Sequence, residues 1–321
     1  MKSGSTNLKN IESGSTLRFT EACENIDPET PAMLTVQEIC QNAQQLPCSP
    51  SILPQVVQLL SRDDAGISEL ESIIKRDPGL SAAVLKMANS AYFSAGQSFD
   101  HLSEAILRLG FKQTYRITVS VTGGRWSSFD LAAYGWQPGD FCRHSFAVAV
   151  SARLVAEHTS GVDPELAYTA GLMHDAGKLA LAYASLPSLD AVRRKQQLTR
   201  TDWLTAEQAV MGFTHADVTA ELLSSWNFPA NLVEVGRHYA SPAGADPEYV
   251  PLVNTVHAAK HLAIQTGIGA GEDAFWTPLE QDNIRSLGLE ESEFQDLLPE
   301  LVDILQKLLQ KEILTGAIRF D

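Results

Sequence analysis

From Leu34 onward, apolar residues recur at helical spacing. Leu80, Ala83, Val84, Met87 and Ala88 fall on one face, and Leu297, Leu298, Leu301, Val302, Leu305, Leu308 and Leu309 form a second stripe. No sustained apolar and polar alternation of the kind a half-buried strand needs interrupts them. The pattern predicts an all-α chain broken at Pro47, Pro50, Pro54, Asp77-Pro78, Gly96, Gly110 and Gly123-Gly124. Several starts are legible from capping chemistry. Ser68 with Glu71 has the form of a capping box, Asp77 precedes a proline suited to a first helical turn, and Thr214 with Asp217 opens a helix that carries His215. Two segments, from about Asp140 to Glu157 and from Pro164 to Met173, carry so few charges that both are predicted to lie in the core.

Residues 1–30 are rich in Ser, Gly, Thr, Asn and Glu and show no sustained apolar period, so a flexible tail is expected there. The C-terminal stripe is expected to pack back on the body, with a protein-docking helix as the functional alternative. At 321 residues the chain can bury a large core. The formal charge of -15 argues against binding nucleic acid or anionic membrane, which leaves proteins and small molecules as partners. Cys23, Cys40, Cys48 and Cys142 lack zinc-ribbon spacing, and no apolar stretch approaches the roughly 20 residues of a membrane span. Reduced thiols and a cytoplasmic location are expected.

The chemistry concentrates in Gly171-Leu172-Met173-His174-Asp175-Ala176-Gly177-Lys178. An imidazole and a carboxylate stand side by side where an apolar helix ends, and together they can grip one metal ion, with Lys178 placed to meet a bound phosphate. His144, His174, His215 and His238 lie on successive predicted helices, whose side chains can converge in a bundle interior. Spacing alone leaves a second reading open, in which His174 and Asp175 pair with each other and the backbone as a structural junction, Lys178 is a solvated cation and His215 is a hydrogen-bonded packing residue. His101, His158, His257 and His261 have no motif support, and surface placement is expected for them. Trp126, Trp136, Trp203, Trp226 and Trp276 are expected as core or interface anchors.

The order His144, then His174-Asp175, resembles the HD superfamily of metal-dependent phosphohydrolases, in which a His, a His-Asp doublet and a later Asp bind a divalent metal. Leu46-Pro47, Ile74-Lys75-Arg76-Asp77-Pro78-Gly79-Leu80, Leu85-Lys86-Met87-Ala88-Asn89-Ser90-Ala91-Tyr92-Phe93 and Ala105-Ile106-Leu107-Arg108-Leu109-Gly110 are similar to the N-terminal lobe of the HDOD family. Trp226-Asn227-Phe228-Pro229 and Arg237-His238-Tyr239 extend the likeness, which covers about residues 35–265. The resemblance implies an HDOD-like, two-lobed helical bundle with an HD-type core. Its expected parts are an N-terminal lobe over 31–126, an HD-like lobe over 127–270 and a C-terminal helical extension over 271–321.

Carried over by resemblance, His144, His174 and Asp175 are metal ligands, His215 and His238 are candidate ligands for a second metal, and Lys178 contacts phosphate. The cofactor so implied is a divalent ion, iron, manganese or zinc, and a nucleotide is the implied small-molecule ligand. Two departures stand against activity. Lys260 occupies the position where the pattern expects the last Asp, and an ammonium only donates. Tyr239 stands where the related HD-GYP phosphodiesterases have a paired histidine, and no Gly-Tyr-Pro occurs. The resemblance therefore implies a bacterial signal-transduction module that contacts other signalling proteins and carries a degenerate HD site. The alternative is a metal-dependent phosphohydrolase acting on a nucleotide or phosphodiester.

Overall fold

The computed structural model describes residues 34–315 except 44–51, 61, 63–64, 91, 95, 126–130, 185–187, 270–278 and 280. Every regular element among the described residues is helical. The expected tail, Leu46-Pro47, Cys23, Cys48, Trp126 and Trp276 lie outside them.

In chain order the first helices are α1 (Val36–Ala43), α2 (Leu53–Leu60), α3 (Ile67–Ile74), α4 (Pro78–Ala88), α5 (Leu102–Leu109) and α6 (Phe111–Gly124). A short 3-10 turn at Ala132–Tyr134 leads to α7 (Asp140–Glu157), α8 (Pro164–Met173), α9 (Ala176–Tyr183), α10 (Ser188–Thr199), α11 (Trp203–Met211), α12 (His215–Ser225) and α13 (Ala230–His238). A second 3-10 turn at Pro242–Gly244 precedes α14 (Val250–Gln265), α15 (Gln281–Ser286) and α16 (Glu291–Thr315).

The caps explain several boundaries. Asp77 accepts from the Gly79 and Leu80 amides at 2.9 and 3.0 Å, so α4 starts where its sequence predicts. Thr214 and Asp217 form the expected reciprocal capping box of α12. The Ser68 box is not formed. The N-cap of α3 lies two residues earlier, at an extended Gly66 with no side-chain cap, so the helix runs from Ile67, and Glu71 pairs with Lys75 instead. Asp77 also holds Arg125, at the end of α6, at 2.6 Å. Asp77→Ala removes both contacts, and a loss of about 1–2 kcal/mol in urea unfolding is expected. An effect within 0.3 kcal/mol of zero, on the order of measurement scatter, would show that water replaces the cap.

Helices α2 to α6 pack mainly on one another, whereas α1 lies against α9 and α12. The larger group centres on α7, which contacts α6, α8, α14 and α16. The described residues from Thr35 onward belong to one compact unit. Its two groups of helices meet where α6 lies on α7 and α8. There the Arg116 Nε donates to both Glu165 carboxylate oxygens at 3.0 Å, and Tyr115 bonds Thr169. Thr114, Thr118 and Thr122 bury their hydroxyls along α6 by donating to the carbonyl four residues earlier. On α16, Leu297, Leu301 and Leu305 are buried, and the helix packs on α7, α14 and α15.

Helices α7 and α8 make the contact that matters for the site. A Cβ on Gly171 would lie 2.9 Å from both Ala149 Cα and Val148 O, so only glycine permits so close an approach. That approach sets His144, one turn and a half from Ala149, beside His174, three residues beyond Gly171.

Candidate functional site

Helix α8 ends at Met173, and His174 follows as its cap residue with helical backbone angles. The His174 Nδ1 lies 2.7 Å from the Gly171 carbonyl, which fixes the ring and turns Nε2 inward. Asp175 then occupies the N-cap position of α9 but caps no amide with its side chain. Its carboxylate goes to side chains instead. Oδ2 accepts from Lys178 Nζ at 2.9 Å and lies 3.3 Å from His174 Nε2 and 3.8 Å from both His144 Nε2 and Lys260 Nζ. Oδ1 accepts from the Tyr239 hydroxyl and lies 3.5 Å from His215 Nε2.

A second layer holds these groups. Glu207 of α11 accepts from the His215 backbone amide at 2.7 Å and pairs with its Nδ1 at 2.6 Å. The Glu207 Oε1 also accepts from Tyr134 at 3.1 Å. His215 Nε2 meets the Tyr239 hydroxyl at 2.8 Å, so both ring nitrogens of His215 have protein partners. The Lys178 ammonium lies 5.0 Å from the centre of the Trp136 ring and the Lys260 ammonium 4.8 Å from that of Tyr239, both within cation–π range. His144, His174, Asp175, Lys178, Glu207, His215, Tyr239 and Lys260 are all buried, and Asp175 and Lys178 are fully enclosed.

Burial sets the electrostatics. For Asp175, desolvation opposes the charge, but His174, Lys178 and Lys260 outweigh it and hold the carboxyl well below its ordinary range. For His174, burial dominates and pushes the imidazole down, toward the neutral form. For His215, burial also opposes the charge, yet Glu207 more than offsets it and raises the group. Two carboxylates and two ammonium groups thus neutralise one another before His215 is counted.

His144, His174 and Asp175 each offer a ligand atom within 4.8 Å of the others, a buried grouping that could hold a metal ion on geometry alone. Its surroundings do not fit a divalent ion. An ion on Asp175 Oδ2 would share that oxygen with two ammonium groups. Like unit charges 4 Å apart repel by about 4 kcal/mol at an effective dielectric constant of 20.

Of the residues singled out in the sequence, the structure therefore brings together His144, His174, Asp175, Lys178 and His215. It does not bring in His238. That ring is half-buried on the far side of the end of α13, 3.7 Å from Glu234 Oε1, while its neighbour Tyr239 faces Asp175. Successive helical residues point about 100° apart, so only one of the two can face the cluster. Lys178 is not the solvated cation of the structural reading, because it is sealed inside. His257, expected at the surface, is buried, with Nδ1 2.8 Å from the Tyr239 carbonyl. Tyr134 and Glu207 were not among the sequence candidates, and Trp136, expected as a core or interface anchor, is buried beside the cluster. Glu207, the one charged residue of α11, carried the one signal that could have found it.

A His on one helix followed by a His-Asp pair at the next helix junction, in an all-helical fold, defines an HD-related domain. The chain belongs to the HDOD domain family, whose model matches residues 46–242. An HDOD domain protein of unknown function from Geobacter sulfurreducens is similar in structure, with 21% identity, a TM-score of 0.58 and coverage of 88% of this chain and 98% of its own. A provisionally named phosphohydrolase from Shewanella amazonensis gives 23% identity and a TM-score of 0.57, covering 89% of this chain and 98% of its own. A provisionally named signal-transduction protein from Marinobacter aquaeolei gives 20% and 0.64, covering 88% of this chain and 60% of its own. An uncharacterized protein of Treponema pallidum is 24% identical over 248 residues, which are 77% of this chain and 47% of that protein, so the chain spans about half of that relative. Among the described residues no helix is long and apolar enough to cross a membrane.

Proposed function

We propose that this chain is a bacterial, cytoplasmic signal-transduction HDOD module that acts through contacts with other signalling proteins, and that its HD cluster is structural and not catalytic. The observation that carries this reading is the enclosure of Asp175, whose two oxygens are engaged by Lys178 and Tyr239 with every surrounding side chain buried. A hydrolytic metal centre needs an open coordination position and a cation that can reach a phosphate. Lys178 is sealed from solvent, with its ammonium donated to Asp175.

The rival reading is a metal-dependent phosphohydrolase using iron, manganese or zinc on a nucleotide or phosphodiester, with His144, His174 and Asp175 as ligands. The grouping of those three atoms favours it. Purified protein incubated with bis(p-nitrophenyl) phosphate, nucleotides and cyclic dinucleotides, each with manganese, iron or zinc, is expected to show no turnover above a protein-free control. Metal-dependent turnover that disappears in His174→Ala would establish the rival. In the same samples, pull-down from cell extract is expected to survive His174→Ala. It should fail when the exposed Tyr92, in the turn after α4, and Leu107 of α5 are made polar.

A further inference from the structure

We infer that Lys260 is a built-in replacement for the metal ion of the HD cluster, so that this cluster is assembled and held without metal. The inference rests on the structural reading of the site and goes beyond it, since a non-catalytic site could still be a metal site. Lys260 comes from α14 and places its ammonium 3.8 Å from Asp175 Oδ2 and against the Tyr239 ring. The residue is almost fully buried. A lysine is rarely enclosed in this way unless a fixed negative partner compensates its lost hydration. Asp175 is that partner, and Lys178 reaches the same oxygen from α9.

The two ammonium groups therefore supply the same positive charge that a divalent ion would bring to the same carboxylate. They do so as fixed side chains from two helices. Lys260 also ties α14 to the junction of α8 and α9, to which Lys178 itself belongs, and such tying is the mechanical task a structural metal performs in small helical sites. Tyr239 completes the arrangement, since its hydroxyl donates to Asp175 Oδ1 while its ring faces the Lys260 cation. Removing the Lys260 charge should therefore open the cluster to a real ion, and replacing it with a carboxylate should add the missing ligand.

The test uses the full chain, wild type, Lys260→Asp and Lys260→Met, purified without chelator from cells supplied with manganese, iron and zinc. Bound metal is measured by mass spectrometry, and thermal midpoints are read with added manganese and with EDTA. Wild type is expected to carry less than about one-tenth of an equivalent of metal and to melt at the same temperature in both conditions. Lys260→Asp is expected to carry about one equivalent, to lose it on further substitution of His174→Ala, and to melt higher with manganese than with EDTA. A Lys260→Asp protein that folds only when metal is supplied supports the inference as well. Should Lys260→Asp not fold under either condition, Lys260→Met decides by the same readouts, because it keeps most of the length of the side chain and removes the charge. Wild type with near-stoichiometric metal that His174→Ala removes would overturn the inference, as would folded variants that ignore metal. Metal in the wild type would leave the protein-contact reading standing, since that reading fails on hydrolysis and not on metal content.

Discussion

Replacing Asp175 with alanine is expected to lower the thermal midpoint by on the order of 10 °C, the largest effect of any single side-chain truncation in the cluster. The carboxylate is the common partner of Lys178, Lys260, Tyr239 and His215. Without it, two enclosed ammonium groups lose the carboxylate they share, and breaking a buried pair by removing one partner costs about 3–5 kcal/mol. The small cavity left by a carboxylate is a minor addition. A cycle separates the two causes. If charge is the origin, Asp175→Asn combined with Lys178→Met should recover a large part of the loss of Asp175→Asn alone, whereas additive losses would assign the effect to packing.

The same carboxylate predicts an acid limb. Its folded-state pKa lies well below the ordinary carboxyl value of about 3.9, so it contributes stability that is present above that pH and is lost as pH falls toward the folded value. Urea midpoints should fall between about pH 5 and pH 3 in wild type and fall less steeply in Asp175→Asn. Parallel curves for the two proteins would remove Asp175 from the account of acid sensitivity.

Gly177→Ala is expected to cost about 3 kcal/mol, at the upper end of the range for overpacking. A Cβ at this position would lie 2.2 Å from His215 O and 2.6 Å from Thr219 N. Both are backbone atoms of α12, so no rotamer change relieves the clash and α9 must move away. The amide of Gly177 also donates to Thr219 Oγ1 at 2.8 Å, a bond that the same movement breaks. Helix propensity pulls the other way, since alanine is better than glycine in a helix by about 1 kcal/mol. The steric cost is the larger, so destabilisation is the expected sign. Gly124→Ala is the control, because nothing lies within 4 Å of its Cβ position. It should be neutral or slightly stabilising, and a similar loss at both positions would rule out the close approach of α9 and α12 as the cause.

Much of the fold was legible because its signals are local. The cap at Asp77, the capping box at Thr214 and Asp217, and the low-charge helices over 140–157 and 164–173 each depend on residues a few positions apart. The Ser68 box failed for a local reason too, since the helix is capped two residues sooner, at the extended Gly66. The site was legible in part. Motif order pointed to His144, His174, Asp175, Lys178 and His215, all of which meet around one carboxylate. His238 stays outside the cluster because motif order does not say which of two adjacent residues at a helix end turns inward.

The sequence by itself determined an all-helical HDOD chain, its main helix starts and the His174-Asp175 junction, since capping, periodicity and motif order act within a few turns of backbone. It also showed a lysine at position 260 where a ligand was expected. Only the tertiary structure decided what that lysine touches, and that Tyr239, Glu207 and Trp136 enclose the cluster. Those contacts join α7, α8, α9, α11, α12, α13 and α14 across long stretches of chain, and their geometry depends on how closely helices approach at Gly171 and Gly177. That approach is a property of packed helices, and no single stretch of sequence contains it.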